Sequence, residues 1–352
     1  MGALLLLGAC ARGPRETAGR PAQPIVFPPP PATARVQFLG SLFSTRDLPS
    51  RRSRWADFVL GEEPAQYPLV KPYAATLVGT RLYVCDTVLN TVLVYDLLHG
   101  GAHRLAGDHG LGKIQEPNAI AIGPDGKFYV ADKKRHGVIV YGADEEYLAA
   151  WGRPDQVDPV AVAATDKVLY VCDIKDHEIE VWDAATGAYL RSIGKRGTAP
   201  GEFYIPDQIR LDREGNIYVT DTGNFRVQKL SPEGQPLQQI GGFGLGLGQF
   251  AWPKGMDVDA QGRLFVADSR FCNVQIFNPA GRLLLFFGGP GPEAGNLDLP
   301  AGLTIVPWPG DIPWLTQRLA PGFVPDELVM VVSQIGAVAV NFFAVAREEG
   351  VQ

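Results

Sequence analysis

Along most of this chain, apolar and polar positions alternate, or run briefly all apolar, over segments of five to seven residues rich in Val, Ile, Tyr and Phe. Clusters of Gly, Asn, Asp and Pro separate those segments. Period-two patterning between such breakers predicts short β-strands joined by turns. The stretch "GNIYVTDTGNFRVQKLSPEGQPLQQIG" (215–241) reads as two successive hairpins.

That stretch has relatives at "TRLYVCDTVLNTVLVY" (80–95), "GKFYVADKKRHGVIVY" (126–141), "KVLYVCDIKDHEIEVW" (167–182) and "GRLFVADSRFCNVQIF" (262–277). An Asp recurs at 86, 132, 173, 221 and 268, and a Pro at 72, 117, 159, 206 and 253 stands 14 or 15 residues ahead of it. Each copy closes on or near a Gly, at 107, 152, 194, 241 and 288. Four strands in a period of forty-odd residues predict one propeller blade per copy.

A sixth copy is disguised. It opens at Pro300, and "ELVMVVSQIGAVAVNF" (327–342) aligns with the other copies, with Ser333 in the Asp position. Its two halves are separated by an insertion at 307–327, and the chain ends before a fourth strand can form. "VQFLG" (36–40) has the form of the missing strand. An all-β, six-bladed propeller with four-stranded blades is therefore expected, its ring closed by residues 36–40 joining the last blade. Closure removes the open sheet edges that favour aggregation.

The pattern Pro-x-x-Ile/Val, Gly-x-x-Tyr-Val-x-Asp, Val-x-x-Phe/Tyr and a Gly turn resembles the NHL repeat, over residues 35 to about 346. Together with the N-terminal features below, "VQFLGSL", "KPYA" and "VVSQIG" resemble NHL-repeat lipoproteins of bacteria that bear multihaem cytochromes. That resemblance implies a protein-binding scaffold in the cell envelope, with a multihaem c-type cytochrome as partner. NHL-like propellers also include zinc-dependent amidating lyases and lactonase-like hydrolases, so a metal-dependent enzyme with its site in the central top channel is the alternative.

Residues 1–9 are apolar and lead into "LGAC", which reads as a lipoprotein signal peptide with Cys10 as the lipid attachment point. Seven prolines in residues 11–34 make 10–34 a lipidated tether. The propeller is expected at 35–346 and a tail at 347–352. Attachment by lipid alone at the outer membrane is the expected location, because no later apolar run is long enough to cross a bilayer. A formal charge of −6 argues against nucleic acid as partner. Arg46, Arg51, Arg52 and Arg54 read as a solvated loop. No haem-attachment motif and no paired zinc-type cysteines occur, and no cofactor is expected.

In such a propeller the loops from strand four to strand one and from strand two to strand three share the top face. Variable positions there are Lys133, Lys134, Arg135, His136, His177, Asp207, Arg226 and Lys254. His136 and His177 occupy equivalent turns, which suits either ordinary turn residues or part of a zinc site. Asn118 and Asp207 point toward the channel, and "GGFGLGLGQF" (241–250) reads as a connection between blades rather than a phosphate loop, since no helix follows. Trp308, Trp314 and Phe323 in the insertion form a candidate aromatic patch on the bottom face, or pack over the end of the ring. Because strand four runs from bottom to top, the tether is expected to leave from the bottom.

Overall fold

The computed structural model describes residues 23–49, 66–153, 155–335 and 339–347. The signal segment, Cys10, Arg51, Arg52, Arg54 and most of the tail lie outside the described residues. Six antiparallel sheets follow one another as the blades of a ring. Their first strands begin at Pro72, Pro117, Pro159, Pro206, Pro253 and Pro300. Blade four runs Pro206–Leu211, Ile217–Asp221, Arg226–Leu230 and Pro236–Ile240, and blades one, two, three and five repeat that order.

The recurring Asp explains why each blade joins its neighbour in the same way. Asp86, Asp132, Asp173, Asp221 and Asp268 are all fully buried at the top of a second strand. Each carboxylate accepts backbone N–H groups from the connection that enters its own blade. Asp268 receives Ala251 N at 2.8 Å and Trp252 N at 3.0 Å, and then Arg270 N and Phe271 N from its own turn. A side chain that bridges two loops this way fixes both, and without it four orphan donors would face the interior. Ser333 keeps a weaker version in blade six, where its hydroxyl accepts Asp298 N at 3.3 Å.

Val36–Leu42 pairs with Ala339–Ala346 and closes the ring, Val36 opposite Val345 and Leu42 opposite Val340. Phe38 and Phe343 pack at 5.3 Å, and Phe343 meets Phe287 of blade five at 4.6 Å. Burying each such ring is worth ~1.5–3 kcal/mol, so closure also welds blade six to blade five.

Two expectations need correcting. The first is the extent of the tether. Ile25–Phe27 forms a fifth, outermost strand of blade six, paired with Phe38–Val36. An edge strand needs ladder bonds on one side alone, so the prolines around this apolar triplet are tolerated. The strand also reverses the chain. Val36 lies at the bottom and Phe27 opposite it, so the chain comes down to Phe27 from above. Ile25 lies against Gly295 in the top connection between blades five and six. The N-terminal segment therefore leaves toward the top face, not from the bottom.

The second concerns the insertion. Its helical turn, Pro313–Thr316, does not lie open on the bottom face. Ile312, Trp314 and Leu315 are buried with Leu39, Leu42, Leu82, Tyr95 and Phe342, along the seam between blades six and one. Trp314 donates its Nε1–H to Asp47 O at 2.8 Å, packs edge-on against Phe342 at 5.1 Å and carries the Arg318 guanidinium at 4.3 Å. Trp308 and Phe323 flank the same cluster, half-buried. The three aromatics are seam packing, not an exposed patch.

Candidate functional site

In every blade the register shifts just after the first-strand Pro. A bulge re-aims the residue it releases, here the one that follows Pro. Those residues are Tyr73, Asn118, Val160, Asp207, Lys254 and Ala301. The mouth of the channel is therefore spanned by side chains from opposite blades. The Tyr73 hydroxyl donates to Asp207 Oδ1 at 3.0 Å, and Lys254 Nζ donates to the same hydroxyl at 3.1 Å while lying 4.9 Å from its ring centre. Burial, and then the Asp207 charge, hold the Tyr73 phenol well above its ordinary range. It stays a neutral donor. Asn118, 7% exposed, keeps its Oδ1 without a partner.

A second polar layer lies lower. Arg210 reaches Asp257 at 3.5 Å and donates to Leu303 O and Thr304 Oγ1, both at 3.3 Å, tying blades four, five and six. Burial raises the Asp257 carboxyl, and Arg210 opposes that rise. Below it a cavity of about 220 Å³ opens among Asp212, Val258, Asp259, Ile305 and Glu327. At its edge Arg263 pairs with both Asp259 and Glu327, the latter at 3.0 Å. Sequence reasoning missed this ion cluster, because Glu327 sits where blade six departs from the repeat.

On the top face the marked side chains are mostly engaged in holding loops. Arg135 donates from Nη1 to Leu111 O and Lys113 O, each at 2.8 Å. Arg226, nearly fully buried, pairs with Asp221 at 2.8 Å and donates to Gln239, Ala199 O and Glu202 O. Lys133 is half-buried and Lys134 exposed, so of the basic run Lys134 is the one most open to solvent.

The two histidines are not a pair. Both sit in left-handed turns, with φ of 52° at His136 and 58° at His177. His136 Nδ1 lies 3.0 Å from both Val157 O and Asp158 Oδ1, two acceptors, and so carries the proton. His177 Nδ1 instead accepts Ile205 N at 3.2 Å, which requires the opposite tautomer. Burial, then Arg196, lowers the His177 pKa. Each ring straps its own turn to the connection entering the next blade. Among the described residues no three His, Cys, Asp or Glu side chains come together as metal ligands. Cys85 and Cys172 are buried thiols whose pKa burial raises, so they are packing residues rather than nucleophiles.

The connections between blades provide an internal comparison. Residues 194–203 and 241–250 share one backbone frame, 47 positions apart. Gly197 N bonds Phe203 O and Phe203 N bonds Lys195 O, just as Gly244 N bonds Phe250 O and Phe250 N bonds Gly242 O. Gly201 N and Gly248 N each meet a glutamine Oε1, of Gln228 and Gln275, at 2.9 Å. Gly194 and Gly241, at φ of 79° and 78°, admit the rings of Phe203 and Phe250 where a Cβ would collide. On this common frame Arg196, Thr198 and Pro200 correspond to Phe243, Leu245 and Leu247. The latter three are 71%, 83% and 73% exposed.

A family described as a 6-bladed β-propeller matches residues 155–241. Among solved structures, a catalytically inactive His-to-Ala variant of virginiamycin B lyase from Staphylococcus aureus, bound to quinupristin, aligns at a TM-score of 0.54 with 11% identity, covering 78% of this chain and 95% of that one. A gluconolactonase from Xanthomonas campestris aligns at 0.55 with 13% identity over 79% of this chain and 86% of its own. Hydrazine synthase from Kuenenia stuttgartiensis aligns at 0.51 with 12% identity over 80% and 97%. At such identities these likenesses show the propeller fold alone.

Proposed function

We propose that this propeller is a non-enzymatic, lipid-anchored binding module of the bacterial outer membrane, which holds an envelope protein. The partner class carried over from the sequence resemblance is a multihaem c-type cytochrome. One observation carries the binding reading: large apolar side chains stand exposed on the loop-bearing face beside blade two, among them Val88 and Leu111. Meanwhile the titratable side chains there are largely tied into the scaffold. Rigid blades presenting solvent-exposed apolar loops suit recognition. Lys134, with Lys133 beside it, adds charge that would steer an acidic partner.

The test is capture from solubilised envelope with the full chain, read by haem staining and mass spectrometry. Lys133→Glu with Lys134→Glu should reduce cytochrome recovery and leave the melting temperature unchanged. Arg135 is left in place because its two carbonyl bonds hold the neighbouring connection. Equal recovery by both proteins refutes this face or this partner class.

The second reading, an enzyme working at the channel mouth, draws support from the Lys254–Tyr73–Asp207 chain and the unpartnered Asn118 Oδ1. The mouth does not fit the divalent metal of a lyase or hydrolase. Asp207 is the one carboxylate among the described residues that follow the first-strand prolines there, and the Lys254 ammonium shares its hydrogen-bonded chain. What fits is a small neutral molecule bearing hydroxyl or amide groups. Calorimetric titration with gluconolactone, giving no heat in wild type, would dismiss a lactonase-like role.

A further inference from the structure

We infer that the loop 241–252 dips into a lipid bilayer and orients the propeller on the membrane, with the loop face's blade-four-to-six rim toward the lipid. This deepens the envelope reading and rests on it for the presence of a membrane.

From Gly241 to Gly248 the loop has no polar side chain at all. Phe243, Leu245 and Leu247 alternate with glycines and stand mostly in solvent, with Phe243 leaning on Phe225 at 4.9 Å. Trp252, 41% exposed, follows at the base of the loop. An aromatic with one polar edge suits the level of lipid headgroups.

The apolar side chains are not needed to build the loop. The sister loop at 194–203 makes the same backbone bonds with Arg196, Thr198 and Pro200 in their places. The loop 47 positions further on repeats part of the frame, with Leu297 N on Gly289 O and Asn296 N on Glu293 O, and carries Pro290, Pro292 and Ala294. Of three loops on one frame, the middle one alone is tipped with large hydrophobics. Folding does not account for that choice.

The backbone is also prepared for a dry environment. Amide groups of Gly244, Gly246, Gly248, Gln249 and Phe250 donate within the protein, to Phe250 O, Gln249 Oε1, Gln275 Oε1, Gly246 O and Gly242 O. A segment that enters lipid must satisfy its backbone internally, and much of this one does. Lys195 and Arg196 stand on the adjoining sister loop, both exposed, where anionic headgroups would lie.

The exit of the chain selects the bilayer over other occupants. The N-terminal segment leaves blade six upward, beside the connection that holds Gly295, on the same side of the ring as loop 241–252. The twelve residues between Cys10 and Gln23 can reach at most about 40 Å. A lipid on Cys10 would therefore hold the propeller close to a membrane, with the exit of the chain directed toward this rim. Lys133 and Lys134 of blade two lie across the ring, free for a protein partner.

The experiment uses the full chain carrying Cys10→Ala, so that no acyl group contributes. It is mixed with vesicles of phosphatidylethanolamine and phosphatidylglycerol, and the bound fraction is read by co-sedimentation. The variant is the triple exchange Phe243→Arg, Leu245→Thr, Leu247→Pro, which copies the sister loop onto its own frame; Leu245→Thr alone serves as the milder change. The unexchanged chain should bind, and the triple exchange should bind at least about tenfold more weakly at an unchanged melting temperature. Leu245→Thr should fall between. Equal binding by all three, or no binding by the unexchanged chain, overturns the inference. So does a loop-dependent dimer in sedimentation velocity without vesicle binding, which would assign the loop to a second copy. Failure of the acyl anchor would show separately, as full retention of the Cys10→Ala chain in the native host's membranes with vesicle binding intact.

Discussion

Glu327 should make the propeller less stable as pH rises, and Glu327→Gln should abolish that dependence. The carboxylate is 5% exposed and shares one cation, Arg263, with Asp259. A single guanidinium cannot offset the desolvation of two carboxylates, so burial, then Asp259, push the Glu327 pKa up to about 7. In the unfolded chain its pKa is near the ordinary ~4.3. A raised acid pKa means that the folded state holds the proton more tightly. Its contribution is fully present below the unfolded pKa and is lost as pH rises toward 7. At 1.36 kcal/mol per pKa unit the whole loss is ~4 kcal/mol.

Gln keeps an acceptor for Arg263 but never carries the charge. The two proteins should therefore melt nearly together at pH 4, with the variant higher at pH 8. For a domain of roughly 300 residues, ~4 kcal/mol corresponds to about 6 °C. Other buried carboxylates, such as Asp132 and Asp221, also have raised pKa values, but they are common to both proteins and cancel in the difference. Scanning fluorimetry or calorimetry at several pH values measures it. A variant that melts below wild type at pH 8 would show that the Arg263 ion pair outweighs desolvation, and would refute the reasoning.

Removing residues 36–42 should prevent folding, since Val36, Phe38, Leu39 and Leu42 are buried and each is worth ~1.5–3 kcal/mol against a total margin of ~5–15 kcal/mol. Removing residues 11–20 should leave the melting temperature in place, and equal effects of the two deletions would disprove ring closure by this strand. Cys10→Ala in the native host should release the protein from the membrane fraction after a carbonate wash, apart from what loop 241–252 retains. Full retention would dismiss the lipid anchor.

What could be read from the sequence was what the repeat makes redundant. The Pro and Asp positions recur because each blade needs the same bulge and the same carboxylate bridge, so they marked the blades, while the apolar run into Gly40 marked the displaced strand at 36–40. The features that escaped are single events. Ile25–Phe27 is three apolar residues amid prolines, which as sequence is indistinguishable from a spacer; its partner strand, not its composition, makes it a strand. That one omission reversed the inferred exit of the chain, because an extra antiparallel strand turns the direction around. His136 and His177 looked like a pair because their positions are equivalent, yet the tautomer of each is set by whatever faces it from the next connection. Trp314 could be read as a patch or as packing, because inserted residues have no repeat position against which burial can be judged. The repeat could still have pointed to loop 241–252. Aligned with 194–203, it keeps the glycines and the phenylalanine that build the frame and differs where side chains face outward. Where a frame is held and its outward residues change from Arg and Thr to Phe and Leu, stability is already accounted for, and the change has to be explained by what the loop touches.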